Sequence, residues 1–231
     1  MTNAPARLLA EFVGTFALIF IGAGAIMTTV DWTNGGTLIG IAAAHGFVIA
    51  VMVSALGHIS GGHFNPAVST ALLVTRKIQP AEWGAYVVVQ LAGAAVAALA
   101  LSVIYPEVVQ NATHLGVPAV GDGFSVGQVL LVEAILTFFL VFTVFGVAVD
   151  GRGAFKMVAG LPIGFVVFFD ILMGGPLSGG AMNPARWFGP ALVSGTWDNW
   201  WVWIVGPVVG GAIAALVYEI LVLRSKHAAA E

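Results

Sequence analysis

The chain has 231 residues, of which 59% are hydrophobic and only 8% charged, with a formal net charge of -3 and a mean hydropathy of +1.00. A soluble domain carries roughly 25% charged residues, so this composition excludes one and describes an integral membrane protein. With no cysteine, a disulfide framework, a thiolate zinc site and a cysteine nucleophile are excluded as well.

Apolar stretches long enough to span a bilayer lie near residues 8–29, 37–56, 84–104, 126–149, 157–173 and 202–223; a crossing takes ~20 residues. Ala6–Val30 reads as a retained first span, because Met1 to Arg7 is too short for the charged region ahead of a cleaved signal core. The 30 glycines suit close helix packing in lipid.

Between the second and third spans stands Ser60-Gly61-Gly62-His63-Phe64-Asn65-Pro66-Ala67. It returns between the fifth and sixth as Ser178-Gly179-Gly180-Ala181-Met182-Asn183-Pro184-Ala185. Each copy reads as a glycine turn, an Asn N-cap and a Pro at the first helical position. About ten residues of helical sequence follow each Pro, too few to cross a bilayer. The predicted fold is an all-α membrane protein with six transmembrane helices plus two re-entrant half-helices.

The basic residues set the orientation. Arg7, Arg76, Lys77, Arg152, Lys156, Arg224 and Lys226 fall on one side of six crossings, and the opposite connections carry Asp31, Glu107, Asp122 and Asp198. The positive-inside rule puts that basic side, with both termini, in the cytoplasm. Arg186 is the exception.

The halves repeat. At an offset of 118, Gly46-Phe47-Val48 matches Gly164-Phe165-Val166, the two Asn-Pro-Ala segments match, and Gly93 meets Gly211. Upstream the offset is 122, pairing Glu11, Thr15 and Phe16 with Glu133, Thr137 and Phe138. Three spans per repeat, an odd number, invert one half relative to the other. The chain is thus one channel-like domain, 1–231, of two inverted three-helix repeats, about 1–110 and 120–231, with its pathway where the half-helix N-termini meet.

Glu11 and Glu133 are buried acids at equivalent places. They serve either proton transfer or metal binding, or they accept hydrogen bonds from the half-helix turns; symmetric acids beside symmetric turns favour the second reading. Asn65 and Asn183 form the centre. As caps, their side-chain oxygens accept from the following turn, which leaves their NH₂ groups pointing into the gap between two partial positive charges of about half an elementary charge each. Water passing there accepts but does not easily donate, which interrupts a proton wire. Nothing supplies a nucleophile, a metal site, a phosphate loop or a cofactor site, so the reading is not an enzyme.

These segments carry a resemblance. AEFVGTF, GHISGGHFNPAV, GPLSGGAMNPARWFGPAL and WIVGPVVGG together resemble the aquaporin, or major intrinsic protein, family over nearly the whole chain. The second half is most similar to plant tonoplast intrinsic proteins. The resemblance implies a passive water channel that excludes ions, built as a homotetramer in the lipid bilayer, with no nucleic-acid partner. Carried over residue by residue, the pore centre falls on Asn65, Pro66, Ala67, Asn183, Pro184 and Ala185, and the selectivity filter on His45, Ile171, Gly180 and Arg186. Arg186 has Val68 as its repeat partner, and its guanidinium repels cations and donates to a permeant. The His, Ile, Gly, Arg set resembles members that pass ammonia as well as water. Such relatives add a histidine from the long outer loop, and His114 is the candidate, against a solvated loop histidine. Asp170 either pairs with His45, His114 or Arg186 and tunes the filter, or reaches the outer mouth. His63 lines the pore wall; His58 is packing. Trp187 stands where glycerol facilitators carry Asp, which argues against glycerol but leaves the Trp itself without an account. The rival readings are a glycerol or small neutral solute facilitator, an ion-coupled secondary transporter, and a non-conducting junction protein, for which the intact Asn-Pro-Ala pair and Arg186 would have no reason to be present.

Overall fold

A computed structural model describes residues 3–31, 37–152 and 158–224; Lys156 and Lys226 lie outside them. In chain order the helices are α1 (Ala4–Asp31), α2 (Leu38–Ser60), α3 (Pro66–Val74), α4 (Pro80–Ile104), the short α5 (Glu107–Thr113), α6 (Val126–Val144), α7 (Gly160–Ser178), α8 (Pro184–Ser194) and α9 (Val202–Tyr218). A 3₁₀ turn, His114–Gly116, follows α5, and α6 and α9 run on into π-helical turns at Phe145–Val149 and Glu219–Arg224. Among the described residues, six helices are long and apolar enough to cross a membrane. The nine residues of α3 and eleven of α8 rise ~14 and ~17 Å. Together they make roughly one 30 Å crossing.

Local chemistry sets the boundaries. Thr37 caps α2 by accepting from the Gly40 N–H, and Ser125 and Gln128 form a reciprocal capping box on α6. The second and fifth spans run on to Ser60 and Ser178, past the 56 and 173 at which hydropathy fades. They stop only where a glycine takes the left-handed conformation: Gly61 at φ 95 and Gly179 at φ 81. There the N–H of each still bonds back to Gly57 and Gly175, both at 2.9 Å.

The packing repeats between the halves. α1 lies on α4 and α2, as α6 lies on α9 and α7; α3 packs on α9, as α8 packs on α4; α2 and α7 form the central pair. At that central crossing the backbones nearly touch. A Cβ built on Gly46 would sit 2.6 Å from the Gly164 carbonyl, and one built on Gly164 would sit 2.6 Å from the Ala50 Cβ. The structure corrects one register. Tyr86 donates to the Ser60 carbonyl at 2.8 Å, and Trp203 donates to that of Ser178 at 3.0 Å. Likewise a Cβ on Gly93 would meet the Phe12 carbonyl, and one on Gly210 the Ala134 carbonyl. The third helices therefore match at an offset of 117, and Gly93 corresponds to Gly210 rather than Gly211.

The ion pairs found among the described residues gather at one end, here called the basic face. Arg7 pairs with Glu82, Lys77 with Glu219 at 2.9 Å, and Arg152 with Asp150. Asp150 also accepts from the Tyr218 hydroxyl at 3.1 Å. The Arg152 hydrogen bonds hold the Asp150 carboxyl below the usual carboxylate range, so this tie between α6 and α9 persists through mildly acid pH. Exposed apolar side chains such as Leu131, Phe139 and Phe169 give the outer surface its lipid-compatible character.

The α2–α7 crossing yields a stability prediction. Gly164→Val should destabilise the protein by about 2 kcal/mol or more through overpacking, read as a lower apparent Tm in detergent. Gly127→Ala, whose added carbon meets nothing within 4 Å, should leave the Tm unchanged.

Candidate functional site: a narrow pore at the half-helix junction

Two carboxylates shape the loops that break the half-helices. The Glu11 carboxylate accepts from the Ser60 hydroxyl at 2.6 Å, the His63 N–H at 3.0 Å, the Phe64 N–H at 2.7 Å and the Gln90 amide at 2.8 Å. That of Glu133 accepts from the Ser178 hydroxyl at 2.7 Å, the Ala181 N–H at 2.9 Å and the Met182 N–H at 2.7 Å. Neither acid faces a metal-binding cluster; none occurs among the described residues. Phe64 and Met182 take positive φ, 48° and 52°, a conformation costly for residues with a Cβ. The carboxylate bonds to their N–H groups hold them there, and their carbonyls consequently turn toward the junction.

The two half-helices are locked crosswise. Asn65 caps α3 by accepting from the Ala67 N–H at 2.8 Å; Asn183 caps α8 through Ala185 at 3.0 Å and Arg186 at 3.4 Å. The NH₂ groups are not wholly free, as the capping argument alone suggests. Asn65 donates to the Met182 carbonyl at 2.8 Å, and Asn183 donates to that of Phe64 at 3.0 Å. One N–H of each amide is thereby committed to the other repeat. The second N–H of each has no acceptor among the described residues and stays available to a permeant.

Both asparagines line a narrow cavity of about 40 Å³, room for about three waters. Toward the basic face it is walled by Val68, Val144 and Ile163, with His63 at the turn; toward the other face by His45, Ile171, Gly180 and Arg186. His63 joins its Nδ1 to the Ser69 hydroxyl at 3.0 Å and packs its ring edge-on against Tyr86.

The four residues expected to form a filter, His45, Ile171, Gly180 and Arg186, line the same cavity. Arg186, 2% exposed, donates from Nε to His45 Nε2 at 3.1 Å and from Nη1 to the Gly116 carbonyl at 2.8 Å. His45 Nδ1 lies 2.8 Å from the Ile41 carbonyl. A carbonyl only accepts, so the ring hydrogen is assigned to Nδ1, and Nε2 is the acceptor for Arg186. Both His45 nitrogens are therefore engaged. Two of the five guanidinium N–H groups are used, and the other three have no acceptor among the described residues. Gly180, at φ 55, lies against Ile171; a Cβ there would sit 3.2 Å from Ile171 Cγ1.

Two other candidates lie elsewhere. His114 is exposed, with Nδ1 3.5 Å from the Thr196 hydroxyl, and it lines a separate polar pocket with Glu107 and Asn111. The loop contact to the filter comes instead from the backbone of Gly116. Asp170, 5% exposed, forms no hydrogen bond or ion pair with His45, His114 or Arg186, and its Oδ2 is buried without a partner. It shares its helix face with Gly174, whose added Cβ would meet Leu136 of α6, so it points between α6 and α7. It neither tunes the filter by pairing nor opens to a mouth.

Trp187 gains an account. It is buried, stacks parallel on Trp203 with centroids 5.9 Å apart and meets Trp197 edge-on. Its repeat partner is Ser69. In the first repeat, Ser69 accepts from Gln90 at 3.0 Å and contacts His63; in the second, those places hold Trp187, Pro207 and Ala181. An apolar plug replaces a polar network, which leaves Glu133 one donor fewer than Glu11 and the Trp187 indole N–H unpaired.

Sequence reasoning missed Gly116 and Gly22. A Cβ on Gly22 would fall on the His45 ring. The available signal was the repeat itself, which sets Gly22 against Val144.

The family model described as Major intrinsic protein matches residues 2–218. Aquaporin TIP4-4 of Zea mays is 44% identical over 219 residues, covering 92% of this chain and 84% of that protein. Nodulin-26 of Glycine max is 39% identical over 222 residues, covering 93% and 77%. The X-ray structure of the aquaglyceroporin from Plasmodium falciparum superimposes with a TM-score of 0.89 at 24% identity, covering 97% of this chain and 98% of that one, a likeness of fold.

The carboxylate geometry predicts that Glu133→Gln turns one acceptor oxygen into a donor facing donors, costing about 1–3 kcal/mol per bond left unmade, measurable as a loss of apparent Tm. Asp170→Asn, by contrast, should leave both the Tm and the permeability of reconstituted protein at or above the parent values, since no partner is lost. A clear drop in either would reveal a partner for the carboxylate.

Proposed function

The chain belongs to the major intrinsic protein family, an aquaporin channel family, and we propose that it is a passive pore for single-file water with ammonia as a second permeant. The observation that carries this reading is the pair of crossed asparagines in the middle of a cavity about 40 Å³ in volume. Each presents one unpaired N–H to the lumen at a half-helix N-terminus. A water oxygen accepts from both while its own hydrogens point outward, so the hydrogen-bonded file is broken there, and the two partial positive charges oppose cations. No covalent step occurs; positioning and electrostatics do the selecting.

In this reading Arg186 is the second barrier and presents its three remaining N–H groups to the permeant. His45 acts through Arg186, because its only lone pair is already engaged. Ile171 and Gly180 supply an apolar wall and open width, which favours a small neutral solute such as ammonia beside water. Glu11 and Glu133 are positioning residues that hold the loops. We read both termini as cytoplasmic from the positive-inside rule, since Arg7, Arg76, Lys77, Arg152, Lys156, Arg224 and Lys226 share one side of the six crossings read from the sequence. A homotetramer is part of this reading by family likeness alone; native mass spectrometry of detergent-purified protein should show four copies.

The test is stopped-flow on proteoliposomes, run for osmotic shrinkage and for internal alkalinisation after an ammonium pulse. Both should be fast. Slow shrinkage would refute the water channel, and background alkalinisation with fast shrinkage would refute ammonia passage. Gly180→Cys combined with Ile171→His should reduce alkalinisation more than shrinkage. Asn183→Asp, which replaces a donor with negative charge, should raise cation leak; an unchanged leak would count against the donor account of exclusion.

A further inference from the structure

The filter of four side chains depends on a fifth position that contributes no side chain at all. Gly22 lies on α1, buried and behind the lumen rather than on its wall. A Cβ built there would stand only 2.4 Å from both Cδ2 and Nε2 of His45 and 2.9 Å from Cε1, too close for either to stay in place. Nε2 is the atom that accepts from Arg186. The ring is held from behind by Ile41 through Nδ1, so it cannot pivot away and keep both bonds.

The inverted repeat supplies an independent comparison inside the same molecule. At the offsets read from the paired motifs, Gly22, His45 and Arg186 correspond to Val144, Ile163 and Val68. All three of the latter line the same cavity toward the basic face. Where the α2-type helix carries an aliphatic side chain, the α1-type helix keeps a branched residue beside it. Where the helix carries an imidazole whose nitrogen must reach an arginine, the neighbour has no Cβ. The exchange is one of volume: a ring is admitted on one side because a side chain is deleted behind it.

We propose that Gly22 is a specificity-determining position of this pore, acting as a positioning residue. It leaves the space in which the His45 ring sits, and through His45 it keeps the Arg186 guanidinium drawn to the wall between two acceptors, the imidazole and the Gly116 carbonyl. Any Cβ at position 22 drives the ring into the lumen and breaks the bond to Nε. The guanidinium then keeps a single anchor at Gly116 and swings across the passage. This inference rests on the channel reading above for its transport consequences, but the steric coupling between positions 22 and 45 does not need that reading.

The experiment is a double-mutant cycle on the full chain with Gly22→Ala, His45→Ala and the double variant, read by apparent Tm in detergent and by stopped-flow water and ammonia flux in proteoliposomes. Gly22→Ala should lower the apparent Tm by about 2–4 °C or more, reduce water flux through the displaced Arg186, and alter the ratio of ammonia to water flux. In the His45→Ala background the same substitution should cost nothing further in Tm or flux, because the ring it strikes is gone. Equal losses from Gly22→Ala in both backgrounds would overturn the proposal, since the added methyl would then be striking helix backbone. So would parent-like Tm and flux in the single variant. If Gly22→Ala alone fails to fold, a folded double variant supports the proposal and an unfolded one refutes it. If the parent protein passes neither water nor ammonia, the channel reading fails, while the Tm cycle still decides whether position 22 makes room for His45.

Discussion

An α-helix cut in the middle of a bilayer exposes N–H groups that neither lipid nor the missing turn can satisfy. This protein cuts two, and the answer in each case is one carboxylate carried on the first helix of the same repeat. Glu11 and Glu133 gather the hydroxyl of the last helical serine and two consecutive loop N–H groups. Those bonds hold Phe64 and Met182 in the left-handed region, and that conformation directs their carbonyls to the asparagine of the opposite loop. The cap, the crossed amides and the narrow lumen between them follow from these two acids. An unpaired carboxylate at this depth would be costly; here the charge is spread over three or four donors, so each acid and each loop satisfies the other.

The repeats share this frame and differ in what fills it. The first repeat backs its carboxylate with Gln90, Ser69 and His63 and presents a polar turn to the basic face. The second puts Pro207, Trp187 and Ala181 in those places and closes the space with stacked indoles. The lumen walls diverge in the same manner, with Val68, Val144 and Ile163 on one side of the asparagines and Arg186 and His45 on the other, the latter backed by Gly22. In the proposed channel, the one guanidinium of the lumen wall therefore lies in one half of a nearly symmetric tube. A symmetric filter would set two guanidinium groups in series along a passage only a few waters long.

Much of this could be read from the amino acids. Asn-Pro after a glycine turn has a local meaning, and its recurrence fixed the half-helices, the inversion and the importance of Arg186 without a partner in Val68. Hydropathy placed six spans but ended two of them early, because Gly57-His58 and Gly174-Gly175-Pro176 lower the hydropathy while the backbone stays helical until a glycine with positive φ. The third-helix register slipped by one residue because Gly93, Gly210 and Gly211 are indistinguishable by type; only their contacts with Phe12 and Ala134 separate them. His114 was a reasonable candidate by residue type, yet the group that reaches the filter is the carbonyl of Gly116, and backbone acceptors leave no trace in side-chain chemistry. Gly22 was hidden for the related reason that its role is to be empty.

The crossed amide bonds also bear on how the chain is made. Asn65 needs the carbonyl of Met182, 117 residues later, and Phe64 needs the amide of Asn183, 119 residues later. Synthesis proceeds from the N-terminus, so the first repeat enters the membrane with a cap amide and a carbonyl that still lack their partners. Neither can close until the second re-entrant loop has emerged and dipped in from the opposite face. Biogenesis thus has a built-in order: two half-sites wait for each other, and the pore wall is completed by the last loop to arrive rather than inherited from either half.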